Sequence, residues 1–234
     1  MRVSRLSLGA AQTIDKGRMF ARACGLLLVQ WRQMLSWALH MPLLQPGHNK
    51  ATEACVTDFD LVWFQRINAS ADSAQWIVDS ALFISKGLPL VVGAALAVGL
   101  CRRSTRPTAA FVLAAMAITW CIVHLFHALV PLPRPAALNL GTQWIDQGNR
   151  PGFPSMHVSV AFAMASALWF RHSRWAVAAL LLGVAMAWSR VCIGVHFPRD
   201  VLAAALLGAL TSGFLVPLLQ QLNPSLSGGT TNMN

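Results

Sequence analysis

Residues 189–200 read SRVCIGVHFPRD, between an apolar run that ends near 193 and another that begins near 199. Two arginines, a histidine and an aspartate in twelve residues contrast with their flanks. Of the chain's 234 residues, 56% are hydrophobic and 11% charged, where a soluble domain carries about 25% charged residues. Lys plus Arg number 18 against 8 Asp plus Glu, a net charge of +10. These cations fall singly or in short runs between apolar spans. A nucleic-acid binder would array them on a solvated face, so nucleic acid is set aside as a partner and an integral membrane protein with basic cytoplasmic loops is favoured.

A membrane-crossing helix needs about 20 predominantly apolar residues. Runs at 79–101, 108–130, 153–170 and 199–220 approach or meet that length, and 175–193 does so until it reaches Ser189 and Arg190. Residues 23–45 are marginal, because Gln30, Arg32 and Gln33 sit at their middle. Spanning is preferred there over lying in the interface, which predicts an all-α integral membrane bundle of about six helices. Residues 1–55 read as an N-terminal extension without a secretory signal peptide, 56–222 as the membrane domain and 223–234 as a disordered tail. Within 46–78, DLVWFQRIN predicts a short interfacial helix with Leu61, Val62, Phe64 and Ile67 towards lipid. Trp63, Trp76, Trp120, Trp144, Trp169, Trp175 and Trp188 fall mostly near helix ends and read as interface anchors. The five cysteines are scattered and form no CxxC pair, so neither a disulfide framework nor a thiolate metal site is expected.

Charge placement orients the bundle. The cations Arg2 to Arg22, RRSTR at 102–106 and RHSR at 171–174 share one side, and the positive-inside rule makes that side cytoplasmic. Loops 131–152 and 189–199 then face outwards, into the periplasm of a bacterial inner (cytoplasmic) membrane.

Three clusters meet on that outer side: HALVPLPRP with His127 and Arg134, PSMH with Ser155 and His157, and the opening stretch. Pro154 and Ser155 before an apolar run are helix-start signals, which aim backbone N–H groups into the loops. Together with the guanidiniums of Arg134 and Arg190 they make a pocket for a tetrahedral oxyanion. His196 is suited to attack phosphorus if Asp200, four residues on, holds its other ring nitrogen protonated. His157 is then placed to protonate the departing oxygen. No cofactor and no metal are required, and Asp146 and Asp200 are the only acids in or immediately next to these two loops.

These residues resemble the type 2 phosphatidic acid phosphatase superfamily, whose signature is K-x6-R-P, P-S-G-H and S-R-x5-H-x3-D. The third motif is complete in Ser189, Arg190, His196 and Asp200, with Arg134-Pro135 and Pro154-Ser155-x-His157 upstream in order. The resemblance covers about 56–222. It implies hydrolysis of a lipid phosphate through a phosphohistidine: His196 as nucleophile, Asp200 as its orienting partner, His157 as general acid, and Arg134, Ser155 and Arg190 as phosphate ligands. The family's lysine falls at His127, which would supply a weaker phosphate contact, and its glycine falls at Met156. Within the superfamily the chain looks like the bacitracin-resistance type of undecaprenyl-pyrophosphate phosphatase, similar in LVWFQRIN and GVHFPRD, although that group has P-S-D-H where Met156 stands. The implied partners are an isoprenoid or other lipid phosphate and the surrounding membrane lipids. Alternatives are a phosphatase for phosphatidylglycerophosphate or lipid A, a lipid phosphotransferase, and a catalytically silent lipid binder. Lys86, inside an apolar span near its outer end, either offers an ammonium to a second phosphate or, as the simpler reading, snorkels to the interface.

Overall fold

A computed structural model of the chain describes residues 56–148 and 150–222. The readings of 1–55, including the marginal span at 23–45, and of the tail at 223–234 lie outside the described residues. Six α-helices follow in order: α1 (Asp58–Ile67), α2 (Gln75–Cys101), α3 (Arg106–Leu129), α4 (Met156–Phe170), α5 (Ala176–Cys192) and α6 (Pro198–Leu222). A short 3₁₀ turn, Pro135–Leu138, interrupts the loop after α3. No strand occurs among the described residues.

α4 sits at the centre, packed on α6, α5 and α3. Its contact with α6 is made by small residues. The Ser212 hydroxyl donates to the Ala163 carbonyl at 2.8 Å, and that of Ser166 to the Ala209 carbonyl at 3.1 Å. A Cβ at Gly208 would overlap the Ser159 carbonyl. Apolar surface drives no association between helices in lipid, so close approach and hydroxyl bonds of this kind hold such bundles together.

The periphery is apolar. α2 and α3, 27 and 24 residues long, are long and apolar enough to cross a membrane. Trp76, Phe83, Leu90, Val91 and Val98 are exposed on α2, an arrangement suited to lipid and unsuited to water. α4 and α5 are apolar but have 15 and 17 residues, short of the ~20 that a bilayer core requires. The run expected to span from 153 is shortened because Phe153 to Ser155 form the turn that carries Ser155.

The helix expected after Asp60 exists, but Phe64 does not face lipid. It is buried against Phe197, with ring centroids 5.5 Å apart, and Phe59, Val62 and Trp63 take the exposed face. α1 is therefore docked on the protein. Asn68, just past its end, staples the outer loops: its amide donates to the carbonyls of Thr142 and Cys192 and accepts from the Thr142 N–H at 2.8 Å. Trp144, read from sequence as an interface anchor, instead donates its indole N–H to the Ala69 carbonyl at 2.9 Å. These bonds fix the loops over the ends of α4, α5 and α6.

Candidate active site

The end of α5 determines where the nucleophile stands. The Gly194 N–H bonds the Val191 carbonyl at 3.0 Å and the Val195 N–H bonds the Arg190 carbonyl at 3.2 Å, the paired bonds of a Schellman stop. Gly194 has φ +74°, and a Cβ there would overlap the Thr142 carbonyl. Glycine is thus required on both counts. The chain turns, and His196 arrives two residues later with 1% of its surface exposed. Pro198 then opens α6 at the position where its missing N–H costs nothing. Asp200, at the third position of α6, accepts from the Phe197 N–H through Oδ2 at 2.9 Å, half of a capping box.

That cap holds the Asp200 carboxylate towards His196. Its Oδ2 lies 3.6 Å from Nδ1, with both side chains buried. The separation is an ion-pair distance, longer than a hydrogen bond. On the ring's other side stands a guanidinium: Nη1 of Arg134 is 3.3 Å from Nε2. A guanidinium only donates, so Nε2 accepts, and in the neutral ring the proton is on Nδ1, facing Asp200. Burial, then the charges of Arg190 and Arg134 and the His157 ring, hold the His196 pKa well below 6.5, with the Gly152 backbone opposing. The ring is therefore neutral near pH 7, with its lone pair at Nε2 directed at the Arg134 guanidinium.

Arg134 is held from behind. Its Nε donates to the Arg150 carbonyl at 2.9 Å, Nη1 to that of Val195 at 3.0 Å and Nη2 to that of Pro151 at 3.0 Å. Burial lowers its pKa while Asp200 opposes the shift; an arginine remains cationic regardless. Arg190, also buried, donates from Nη1 to the Ser85 hydroxyl at 2.7 Å. Ser85 was not singled out from sequence. Its only signal there was a hydroxyl beside Lys86 in an apolar span. Lys86 itself is exposed.

Ser155 stands at the N-cap position of α4, fully buried and with no cap bond from its hydroxyl, and its N–H reaches the Asp200 carbonyl at 3.3 Å. Ser155 Oγ, Arg190 Nε and His196 Nδ1 are buried with no hydrogen-bond partner among the described residues. Buried polar groups are rarely left so, and a ligand rich in acceptors would satisfy Ser155 and Arg190. His127 is differently engaged from the phosphate contact expected of it: its Nε2 lies 3.0 Å from the Pro154 carbonyl, to which it must donate. It ties the end of α3 to the turn bearing Ser155.

His157 opens onto a cavity of about 450 Å³ between α2, α3, α4 and α5. Its walls, including Pro89, Gly93, Leu96, Met116 and Met164, are apolar. Met156 joins that lining, which gives the residue standing in place of the family's glycine a place to go.

Residues 108–224, half of the chain, match the PAP2 superfamily. YbjG of Escherichia coli K12, which bears an undecaprenyl-diphosphatase name, is 35% identical over 160 residues, 65% of this chain and 79% of that protein. The undecaprenyl-diphosphatase BcrC of Bacillus subtilis is 32% identical over 83 residues, 36% of this chain and 42% of that protein. Among solved structures, the transmembrane PAP2-type phosphatidylglycerolphosphate phosphatase of Bacillus subtilis superposes with a TM-score of 0.59 at 19% identity, covering 84% of this chain and 95% of that one. LpxE of Aquifex aeolicus gives 0.50 at 20% identity, covering 72% and 92%. The match spans all three motifs that build the pocket, and the chain belongs to the PAP2 superfamily as a membrane phosphatase.

Proposed function

We propose that the protein hydrolyses undecaprenyl pyrophosphate to undecaprenyl phosphate, without metal, through phospho-His196. Nε2 of His196 attacks the terminal phosphorus while Arg134, Arg190 and Ser155 bind its equatorial oxygens. Asp200 offsets the positive charge that grows on the ring at Nδ1. His157 gives its proton to the bridging oxygen as the P–O bond breaks, releasing the lipid monophosphate. It then takes a proton from water, whose oxygen attacks phospho-His196, freeing inorganic phosphate and restoring the ring. His127 serves by holding the Pro154–Ser155 turn.

The observation that carries this reading is the His196 ring, with Nε2 facing Arg134 and Nδ1 facing Asp200. The apolar cavity beside His157 suits the first part of an isoprenoid chain. The relatives named for undecaprenyl-diphosphatase activity favour that lipid over other lipid phosphates. The arginine turns at 102–106 and 171–174, at the helix ends away from the site loops, support a pocket that faces the periplasm of a bacterial inner membrane.

The test is phosphate release from undecaprenyl pyrophosphate by detergent-purified protein in EDTA, wild type beside His196→Ala. Release by the wild type that disappears in the variant is expected. Release surviving His196→Ala would refute the phosphohistidine route, and preference for phosphatidylglycerophosphate or lipid A in parallel assays would reassign the substrate.

A further inference from the structure

Asp60 lies on α1, outside the residues matched to the superfamily, and is fully buried. It is the third residue of its helix and completes a capping box with Thr57, whose hydroxyl donates to Oδ2 at 2.8 Å. A cap on an exposed helix needs no burial. Here the same carboxylate reaches another helix: Oδ1 accepts the Arg199 N–H at 3.1 Å, and Oδ2 lies 3.4 Å from Arg199 Nε. That Nε is also 3.6 Å from Oδ1 of Asp200. Arg199 is thus shared between two buried carboxylates, one of which faces His196.

We propose that Asp60 is a positioning residue for the nucleophile: by holding Arg199 it keeps the Asp200 carboxylate available to His196. Two physical effects lead there. Accepting the Arg199 N–H fixes the first turn of α6, in which Asp200 is the next residue. The negative charge of Asp60 also competes for the guanidinium. Without it, Arg199 closes on Asp200, whose charge is then spent on the arginine and less on the imidazolium character that develops as His196 is phosphorylated. The cost falls on the chemical step, since neither Asp60 nor Arg199 belongs to the phosphate pocket. Docking of α1 is in this way coupled to turnover.

The inference rests on His196 being the nucleophile. The experiment measures kcat and KM for undecaprenyl pyrophosphate in detergent for wild type, His196→Ala, Asp60→Asn, Arg199→Gln and the double variant Asp60→Asn/Arg199→Gln. Asp60→Asn is expected to lower kcat about tenfold with KM within about twofold, and the double variant to recover to within about threefold of wild type, because the arginine released onto Asp200 is gone. A purely structural anchor gives no such recovery, so a double variant no better than Asp60→Asn overturns the proposal. Unchanged kcat in Asp60→Asn, or a loss confined to KM, overturns it as well. Wild-type turnover abolished in His196→Ala but indifferent to Asp60 refutes this inference alone, whereas turnover surviving His196→Ala, or none in the wild type, removes both readings. Should Asp60→Asn not accumulate folded, Thr57→Val, which removes the 2.8 Å donor and no charge, carries the test: kcat lowered at KM unchanged and regained with Arg199→Gln supports it, and unchanged kcat overturns it.

Discussion

Nη1 of Arg134 stands 3.3 Å from Nε2 of His196, held there by a guanidinium whose three nitrogens each donate to a backbone carbonyl. The carbonyls of Arg150, Pro151 and Val195 fix the plane of the group before any substrate arrives. Such preorganisation is what makes a charge effective against a transition state. An ammonium cannot reproduce the fork. Arg134→Lys is therefore expected to lower kcat/KM by about 10²-fold or more, read in phosphate-release assays. It should also leave carbonyls unpaired, at about 1–3 kcal/mol each, seen as a lower Tm.

The depressed pKa of His196 has a consequence for stability. In the unfolded chain the ring titrates near the ordinary 6.5, and in the fold it resists protonation until well below that. Between these two values the unfolded chain binds more protons, so stability rises with pH. The contribution is present above about pH 6.5 and lost as the pH falls through the folded value. Thermal unfolding in detergent from pH 8 to pH 5 should show the wild-type Tm falling more steeply below 6.5 than that of His196→Gln. Parallel curves would contradict the assignment.

Gly93 lines the apolar cavity, and a Cβ added there meets nothing within 4 Å. Gly93→Leu should fill part of the volume while improving helix propensity by up to about 1 kcal/mol. Displacing two methylenes of a bound chain costs about 1.6 kcal/mol. KM for undecaprenyl pyrophosphate is expected to rise about tenfold, with kcat on a butyl pyrophosphate little changed. Equal effects on both substrates would show that the chain does not lie in this cavity.

Gly194 offers a test of the turn itself. Alanine in the left-handed region costs about 1–2 kcal/mol, and the overlap with the Thr142 carbonyl adds to it. Gly194→Ala should lower Tm and, because the turn delivers His196, lower kcat more than KM. A variant of wild-type Tm would refute the account of the turn.

His127 separates a turn-holding role from phosphate binding. Its bond to the Pro154 carbonyl predicts that His127→Ala loses about 1 kcal/mol of stability and less than about tenfold in kcat/KM. His127→Lys should not restore more than His127→Ala retains. A gain on introducing lysine would instead return this position to the phosphate pocket.

Much of the bundle could be read in one dimension. Helix boundaries expected at 108–130, 175–193 and 199–220 lie within two residues of Arg106–Leu129, Ala176–Cys192 and Pro198–Leu222, because apolar runs ended by prolines, glycines and charges report locally on where a helix stops. The spacing Ser189, Arg190, His196 and Asp200 was likewise informative, since a helix end, a Schellman turn and a helix start are all local structures.

Tertiary structure decided the remainder. Phe64 and Trp144 have compositions suited to an interface, and only long-range packing shows the first against Phe197 and the second on the Ala69 carbonyl. Ser85 meets Arg190 across 105 positions, and Asp60 meets Arg199 across 139. Neither pairing has a periodicity or a spacing to betray it. The sequence by itself determined an apolar helical bundle and singled out the arginines, histidines and aspartate that the fold brings together around His196, because turns, caps and hydropathy act over a few residues. Which nitrogen of His196 faces Arg134, what holds Arg134 still and which carboxylate restrains Arg199 were decided by contacts between distant segments, whose energies depend on separation in space.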